Sequence, residues 1–239
     1  MDREQKSGIM TSFFSRYRFV VMTGNYGSGK TEISLNAAIN SSGEGKRTTI
    51  VDLDIVNPYF RTGEKAELLQ QAGIRVLMPT YALTTVDIPA LPAEIQSVFE
   101  VPSDHVIFDV GGDDTGAAAL GRYYPSFLKN RGKTLTVLVV NCMRPLTMEK
   151  DEILELAGRI ENRGRLPIDL MINNTNLAQQ TTPEMIERGE EIILACAAEK
   201  GIDKVYTSGQ KSVLDKCRLR TPVIPIERYM VPEWMEEQE

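Results

Sequence analysis

Apolar residues gather in short continuous runs along the chain instead of alternating with polar ones. The runs are Phe19–Thr23, Thr48–Leu53, Ile74–Met78, Val106–Val110, Leu135–Val140 and Ile168–Ile172, and they are rich in β-branched residues. A strand with one solvated face would alternate, so unbroken apolarity predicts strands covered on both faces, as in a parallel sheet. Lys204–Thr207 and Pro222–Ile226 are weaker runs that predict two further strands.

Between these runs the apolar period lengthens to that of a helix. Thr182-Pro183-Glu184 supplies an N-cap, a first-turn proline and an early acid, and Gly201 supplies the stop. After Thr147, Glu149 and Asp151 precede Ile153, Leu154, Ala157 and Ile160, which share one helical face. Strands alternating with helices predict a doubly wound, mostly parallel α/β sheet with helices on both faces and right-handed crossovers, a Rossmann-like plan. No repeat or low-complexity linker divides the 239 residues, so a single domain over 1–239 is expected. Residues 1–17 and the acidic end 232–239 are expected to be loose, with Trp234 a candidate for docking on the body. Pro79 to Pro92, with three prolines, reads as a long ordered loop.

Composition narrows the function. The balance of 27 basic and 33 acidic residues gives a net charge of −6, which offers no general pull on nucleic acid or an anionic membrane. No apolar run reaches bilayer length and the N-terminus lacks the apolar core of a signal peptide, so a cytoplasmic location without membrane contact is expected. Cys142, Cys196 and Cys217 lie far apart without a CxxC pair, which predicts packing residues, with neither a disulfide framework nor a zinc site. His105 is the sole histidine, so an imidazole metal cluster is excluded.

The chemistry concentrates after the first strand. Gly24-Asn25-Tyr26-Gly27-Ser28-Gly29-Lys30-Thr31 fits GxxxxGK[ST] at every fixed position. Glycines there let successive backbone N–H groups converge on phosphate, and the following helix aims its N-terminal dipole at the same anion. Lys30 is assigned to the β- and γ-phosphates and Thr31 to Mg²⁺, with Glu32 counted among the cofactor contacts. The run His105-Val106-Ile107-Phe108-Asp109 ends in an acid suited to the water shell of Mg²⁺, or else to capping the strand. Asp109-Val110-Gly111-Gly112 also has DxxG form, which puts the Gly112 N–H where a γ-phosphate is sensed. Asp52 and Asp54 share a face by strand period near the carboxyl end of the sheet. They orient the attacking water or a metal-bound water, or they cap the next turn.

Taken together, GNYGSGKT, VDLDIVNPYFR and VIFDVGGDD resemble the ParA/MinD/CobQ-type P-loop ATPases of the SIMIBI class, over about Arg18 to Asn176. That resemblance implies binding of Mg-ATP, slow switch-like hydrolysis, dimerisation over nucleotide and an unidentified protein partner. It makes Asp54 the switch aspartate beside the attacking water and a candidate for the metal, and Asp109 the Walker B acid. Many members carry a signature lysine beside the first glycine of the loop, where this chain has Asn25. A neutral carboxamide cannot deliver that charge across a dimer, which puts the nucleotide-sandwich dimer in doubt.

The base is addressed by Ile172-Asn173-Asn174-Thr175-Asn176. In NKxD-type GTPases an aspartate accepts from guanine N1 and N2; here Asn176 stands in its place and Asn174 in that of the lysine. A carboxamide pairs with adenine and forfeits the charged acceptor for guanine, favouring ATP, though a polar turn explains the same residues. Asn173 and Asn174 are taken as the base contacts. Arg144, Arg61 and Tyr206 with the YTSGQKS stretch are weaker candidates. The expected function is a Mg-dependent ATPase acting as a nucleotide switch; the alternatives are a small-molecule kinase or ligase and a nucleotide-sensing module without turnover.

Overall fold

Strand β1 (Phe19–Thr23) runs between β4 (His105–Val110) and β5 (Thr134–Val140), parallel to both. Outward from β4 come β2 (Thr48–Leu53) and then β3 (Arg75–Leu77). Outward from β5 come β6 (Leu170–Asn173), β7 (Val205–Gly209) and β8 (Val223–Pro225). The sheet has eight parallel strands in the order β3-β2-β4-β1-β5-β6-β7-β8. The computed structural model describes residues 13–14, 16–54, 66–78, 93–101, 103–112 and 114–230.

Every expected strand is present, β1 and β2 with the expected ends and the others with ends displaced by at most two residues. Alternate side chains of each central strand enter opposite layers. Val20 and Met22 of β1 pack with Ile33 and Leu35 of α1 (Lys30–Gly43). Phe19 and Val21 face Leu120 of α4 (Asp114–Arg122) and Phe127 of α5 (Tyr124–Lys129). Leu138 and Val140 of β5 meet Ile153 of α6 (Lys150–Gly164) and Ile193 of α7 (Pro183–Lys200). Each such side chain contributes roughly 1.5–3 kcal/mol by leaving water, and a one-residue slip would exchange the layers. Short helices α2 (Ala66–Gln71), α3 (Ala93–Ser97) and α8 (Lys211–Leu214) complete the described set.

Thr182 caps α7 by accepting from Met185 N, and Gly201 ends it in the left-handed conformation. At α6 the cap is Glu149, which forms a reciprocal box with Glu152. Thr147 is drawn into the preceding turn, where its hydroxyl donates to Asn141 O at 2.9 Å.

Of the extension 1–17, residues 13–14 and 16–17 are described. Phe14 is fully buried against the α1 layer, and the Phe13 ring lies 5.2 Å from that of Tyr206. The loop from Pro79 to Pro92, Arg61 and the tail with Trp234 lie outside the described residues.

Two clamps hold β8. Before it, the buried carboxylate of Glu190 on α7 accepts from Arg220 N and Thr221 N at 2.9 and 2.7 Å. After it, residues 227–230 run along α1. Asn36 exchanges two 2.8 Å hydrogen bonds with the backbone of Glu227. One turn earlier on the helix, the Glu32 carboxylate accepts from Tyr229 N and Met230 N. The chain leaves β1 toward β2 and later crosses from β4 to β5 on the other side. The carboxyl ends of β1, β4 and β5 therefore meet at a topological switch point, where α/β sheets open a crevice.

Candidate functional site

The segment 24–31 turns from the end of β1 into the first residues of α1. Gly29 occupies the N-cap with φ 88°, and a Cβ there would stand 2.2 Å from Asn174 Nδ2. Backbone conformation and space both demand glycine at that position. Lys30 is only 7% exposed, and its Nζ donates to Asn25 O at 2.9 Å. The ammonium thus lies across the loop at the positive end of α1, the geometry of an anion site. The Ser28 hydroxyl is buried in the loop without a hydrogen-bond partner among the described residues.

Gly112 lies hard against this loop, because a Cβ on it would sit 2.5 Å from Tyr26 N. Asp109 is nearly fully buried on β4, in register with Met22 on one side and Asp52 on the other. The two acids of the DxD segment part company. Asp52 is fully buried, and its Oδ1 accepts from Asp54 N at 2.8 Å, so it caps the turn. Asp54, beyond the end of β2, lines a cavity together with Lys30 and Thr31.

That cavity has a volume of about 480 Å³ and extends from the phosphate loop to Asn174 and Asn176. Ile186, Val213, Ile226 and Met230 give it an apolar wall. Size, apolar lining and a few convergent polar groups are the usual features of a small-molecule site.

The base-side residues divide by strand period. Asn173 is a correction: it is fully buried and does not line the cavity. Its Nδ2 donates to Ile186 O at 3.0 Å and its Oδ1 accepts from Thr175 Oγ1 at 2.6 Å, so it locks β6 to α7. Asn174 points the other way, where its Nδ2 donates to Ser28 O at 2.7 Å and its Oδ1 accepts from Ser208 Oγ at 2.8 Å. Asn176 lines the cavity and donates to Asn174 O at 2.7 Å.

Glu32 borders the cavity too, but its carboxylate holds the amides of Tyr229 and Met230. It thus helps to build the wall of the cavity at which it was expected to contact a cofactor. Tyr206 packs on Phe13 and does not line the cavity, whereas Gly209 and Gln210 of the same stretch do. Arg144 lines the phosphate end beside Gly27. Sequence reading missed the wall made by Ile226, Arg228 and Met230. Its only local signal is the Glu32–Asn36 spacing, one turn apart on α1, whose partners lie 191 to 198 residues away.

The chemistry on offer is that of phosphate and oxygen donors. All three cysteines are free thiols, and burial raises Cys196 and Cys217 to about 11, which removes them as nucleophiles at neutral pH. Among the described residues no three or more of His, Cys, Asp and Glu gather as a metal cage. The Thr31 hydroxyl and the Asp109 carboxylate are hard oxygen donors. They suit Mg²⁺, which keeps waters and shares its coordination with phosphates. Among the described residues no helix is long and apolar enough to cross a membrane.

No protein-family model matches the chain, and no curated protein matches it. Solved structures do. The 54 kDa signal recognition particle protein of Aeropyrum pernix K1, in complex with GDP, is 20% identical with a TM-score of 0.54, over 80% of this chain and 42% of that one. The cell division protein FtsY of Thermotoga maritima is 20% identical with a TM-score of 0.51, over 79% of this chain and 61% of that one. A nucleotide-binding protein from Archaeoglobus fulgidus, in complex with ADP, is 14% identical with a TM-score of 0.48, over 97% and 95%. The chain thus spans less than two thirds of the first two. The likeness to the first two agrees with the fold, a parallel α/β sheet with helices on both faces.

Proposed function

We propose that this chain binds Mg-ATP and hydrolyses it slowly, as a nucleotide switch for a protein partner. The observation that carries the reading is the single cavity shared by Lys30, Thr31 and Asp54 at one end and Asn174 and Asn176 at the other. Phosphate and base would each find their expected donors within one enclosure. Lys30 and the loop amides would hold the β- and γ-phosphates, and Thr31 and Asp109 would hold Mg²⁺. When bound, that ion neutralises phosphate charge. Asp54 would orient the water whose oxygen bonds to the γ-phosphorus as the bond to the β-γ bridging oxygen breaks. Asn176, neutral where a guanine-reading site has a carboxylate, favours adenine. The ParA/MinD-type resemblance adds the switch role, with Asp54 as its sensor of hydrolysis.

Phosphate release from Mg-ATP, followed beside Lys30→Ala and Asp54→Asn, tests the reading. Turnover lost in both variants supports it. Turnover unchanged in Lys30→Ala would place the activity elsewhere.

A second reading, phosphoryl transfer to a small acceptor, is favoured by one further feature. A cavity of about 380 Å³ opens beyond Tyr26, bordered by Gly112, Leu156 and Arg159. A kinase would release little phosphate until its acceptor is supplied.

A further inference from the structure

We infer that Arg144 is a phosphate-binding residue of this site, supplied from within the chain by the turn after β5. The inference rests on the nucleotide reading above and deepens it.

The turn is rigid. Arg144 N donates to Asn141 O at 3.1 Å, and Met143 N to Asn141 Oδ1 at 3.0 Å. The Thr147 hydroxyl, itself buried, reaches both Asn141 O and Arg144 O, at 2.9 and 3.1 Å. The turn is also docked at two points that matter for a nucleotide. Asn141 Nδ2 donates to Asn176 O at 3.0 Å on the base side. Asn25 Nδ2 donates to Pro145 O at 3.0 Å on the phosphate loop.

This docking lays the Arg144 side chain over the loop. Its Nε lies 3.3 Å, and its Cζ 3.8 Å, from where a Cβ on Gly27 would stand. A side chain at 27 would crowd the guanidinium and make it give by a few tenths of an ångström. Arg144 then lines the same cavity as Lys30 and Thr31.

Several other described arginines are engaged, while Arg228 lines the cavity away from the loop glycines. Arg47 pairs with Asp104, Arg131 with Asp169, and Arg18 donates to carbonyls at the end of α3. Arg144 alone of these has a fixed backbone beside an anion loop and, among the described residues, no ion pair or side-chain hydrogen bond. A guanidinium offers five donors in a planar fork that matches phosphate oxygens, and it keeps its charge at any physiological pH. Asn25 thereby gains a role. It brings no charge to the site itself, but it anchors the turn that does.

The test is calorimetric binding of ATP and ADP with Mg²⁺ at several salt concentrations. Wild type is compared with Arg144→Ala, Arg144→Lys, Asn25→Ala and Lys30→Ala, and thermal midpoints without nucleotide serve as the fold control. Arg144→Ala is expected to weaken ATP roughly ten- to a hundred-fold and to flatten the salt dependence of binding, at an unchanged midpoint. Arg144→Lys should recover part of both, and Asn25→Ala should weaken ATP in the same direction. Unchanged ATP affinity in Arg144→Ala, with binding abolished in Lys30→Ala, would overturn this inference and leave the nucleotide reading intact. Weakened affinity with an unaltered salt dependence would also overturn it, since that marks a packing role. A wild-type protein that binds neither nucleotide would remove the reading on which it stands.

Discussion

Asn174 Nδ2 donates to the carbonyl of Ser28 at 2.7 Å, joining the end of β6 to the phosphate loop across 146 residues of sequence. Both residues are buried, and the Asn174 oxygen is satisfied in turn by Ser208. The bond fixes how far the base-side turn stands from the phosphate amides. Asn174→Ala would take the Asn174 donor from the Ser28 carbonyl and leave the Ser208 hydroxyl only its 3.4 Å bond to Asn173 O, costing roughly 1–3 kcal/mol. Affinity for ATP and GTP should fall by about the same factor, on the order of tenfold, because the loop loosens without regard to the base. Titration of both nucleotides checks this, and a loss confined to one of them would refute it.

In the proposed reading, Asn176 decides the base. It lines the cavity, and its Nδ2 is tied to Asn174 O. Asn176→Asp introduces a charged acceptor for guanine N1 and N2, so the ratio of GTP to ATP affinity should rise by about tenfold or more. Competition between the two nucleotides reads the ratio directly.

The wall built by residues 226–230 depends on α1. Glu32→Ala removes the acceptor for Tyr229 N and Met230 N, and Asn36→Ala removes the pair with Glu227. Each change should cost about 1–3 kcal/mol in chemical denaturation. The segment after β8 should become the first point of proteolytic cleavage. A wall that stayed protected in both variants would show that the helix does not hold it.

His105 gives the fold a pH dependence. Burial lowers its pKa from 6.5 to about 4, and its Nδ1 lies 2.7 Å from Tyr17 O. The folded chain keeps the imidazole neutral while the unfolded chain takes up a proton below about pH 6.5. Stability is therefore full above that pH and falls as pH drops toward 4, by roughly 3 kcal/mol in all. The neighbouring Asp104, held at about 2 by hydrogen bonds from Arg47, does not titrate in this window. Urea unfolding at pH 7.5 and 4.5 should show the drop in wild type and a smaller one in His105→Gln.

Local patterns carried the legible part of this molecule. Continuous apolar runs marked six strands and weaker runs the last two, and GxxxxGK[ST] marked the loop that sits at the switch point of the sheet. The motif comparison took Asn173 and Asn174 together, but adjacent residues face opposite layers, and only Asn174 lines the cavity. Asp52 and Asp54, which strand period put on one face, divide by burial, with Asp52 holding the Asp54 amide and Asp54 at the cavity. Glu32, expected as a cofactor contact, borders the cavity and also holds backbone amides almost 200 residues away, which no local pattern announces. Phe14 likewise looked like part of a loose end until the sheet supplied a surface for it. Contacts between distant segments are set by the fold as a whole, and no window of sequence contains both sides of them.

The central claim is that one cavity holds a nucleoside triphosphate by its phosphates and its base. Isothermal calorimetry of Mg-ATP against wild type and Lys30→Ala tests it most directly. Saturable one-to-one binding by wild type, weakened at least a hundred-fold by the loss of Lys30, is the predicted result. Wild-type protein that binds neither ATP nor GTP, or that binds equally well without Lys30, would contradict the account.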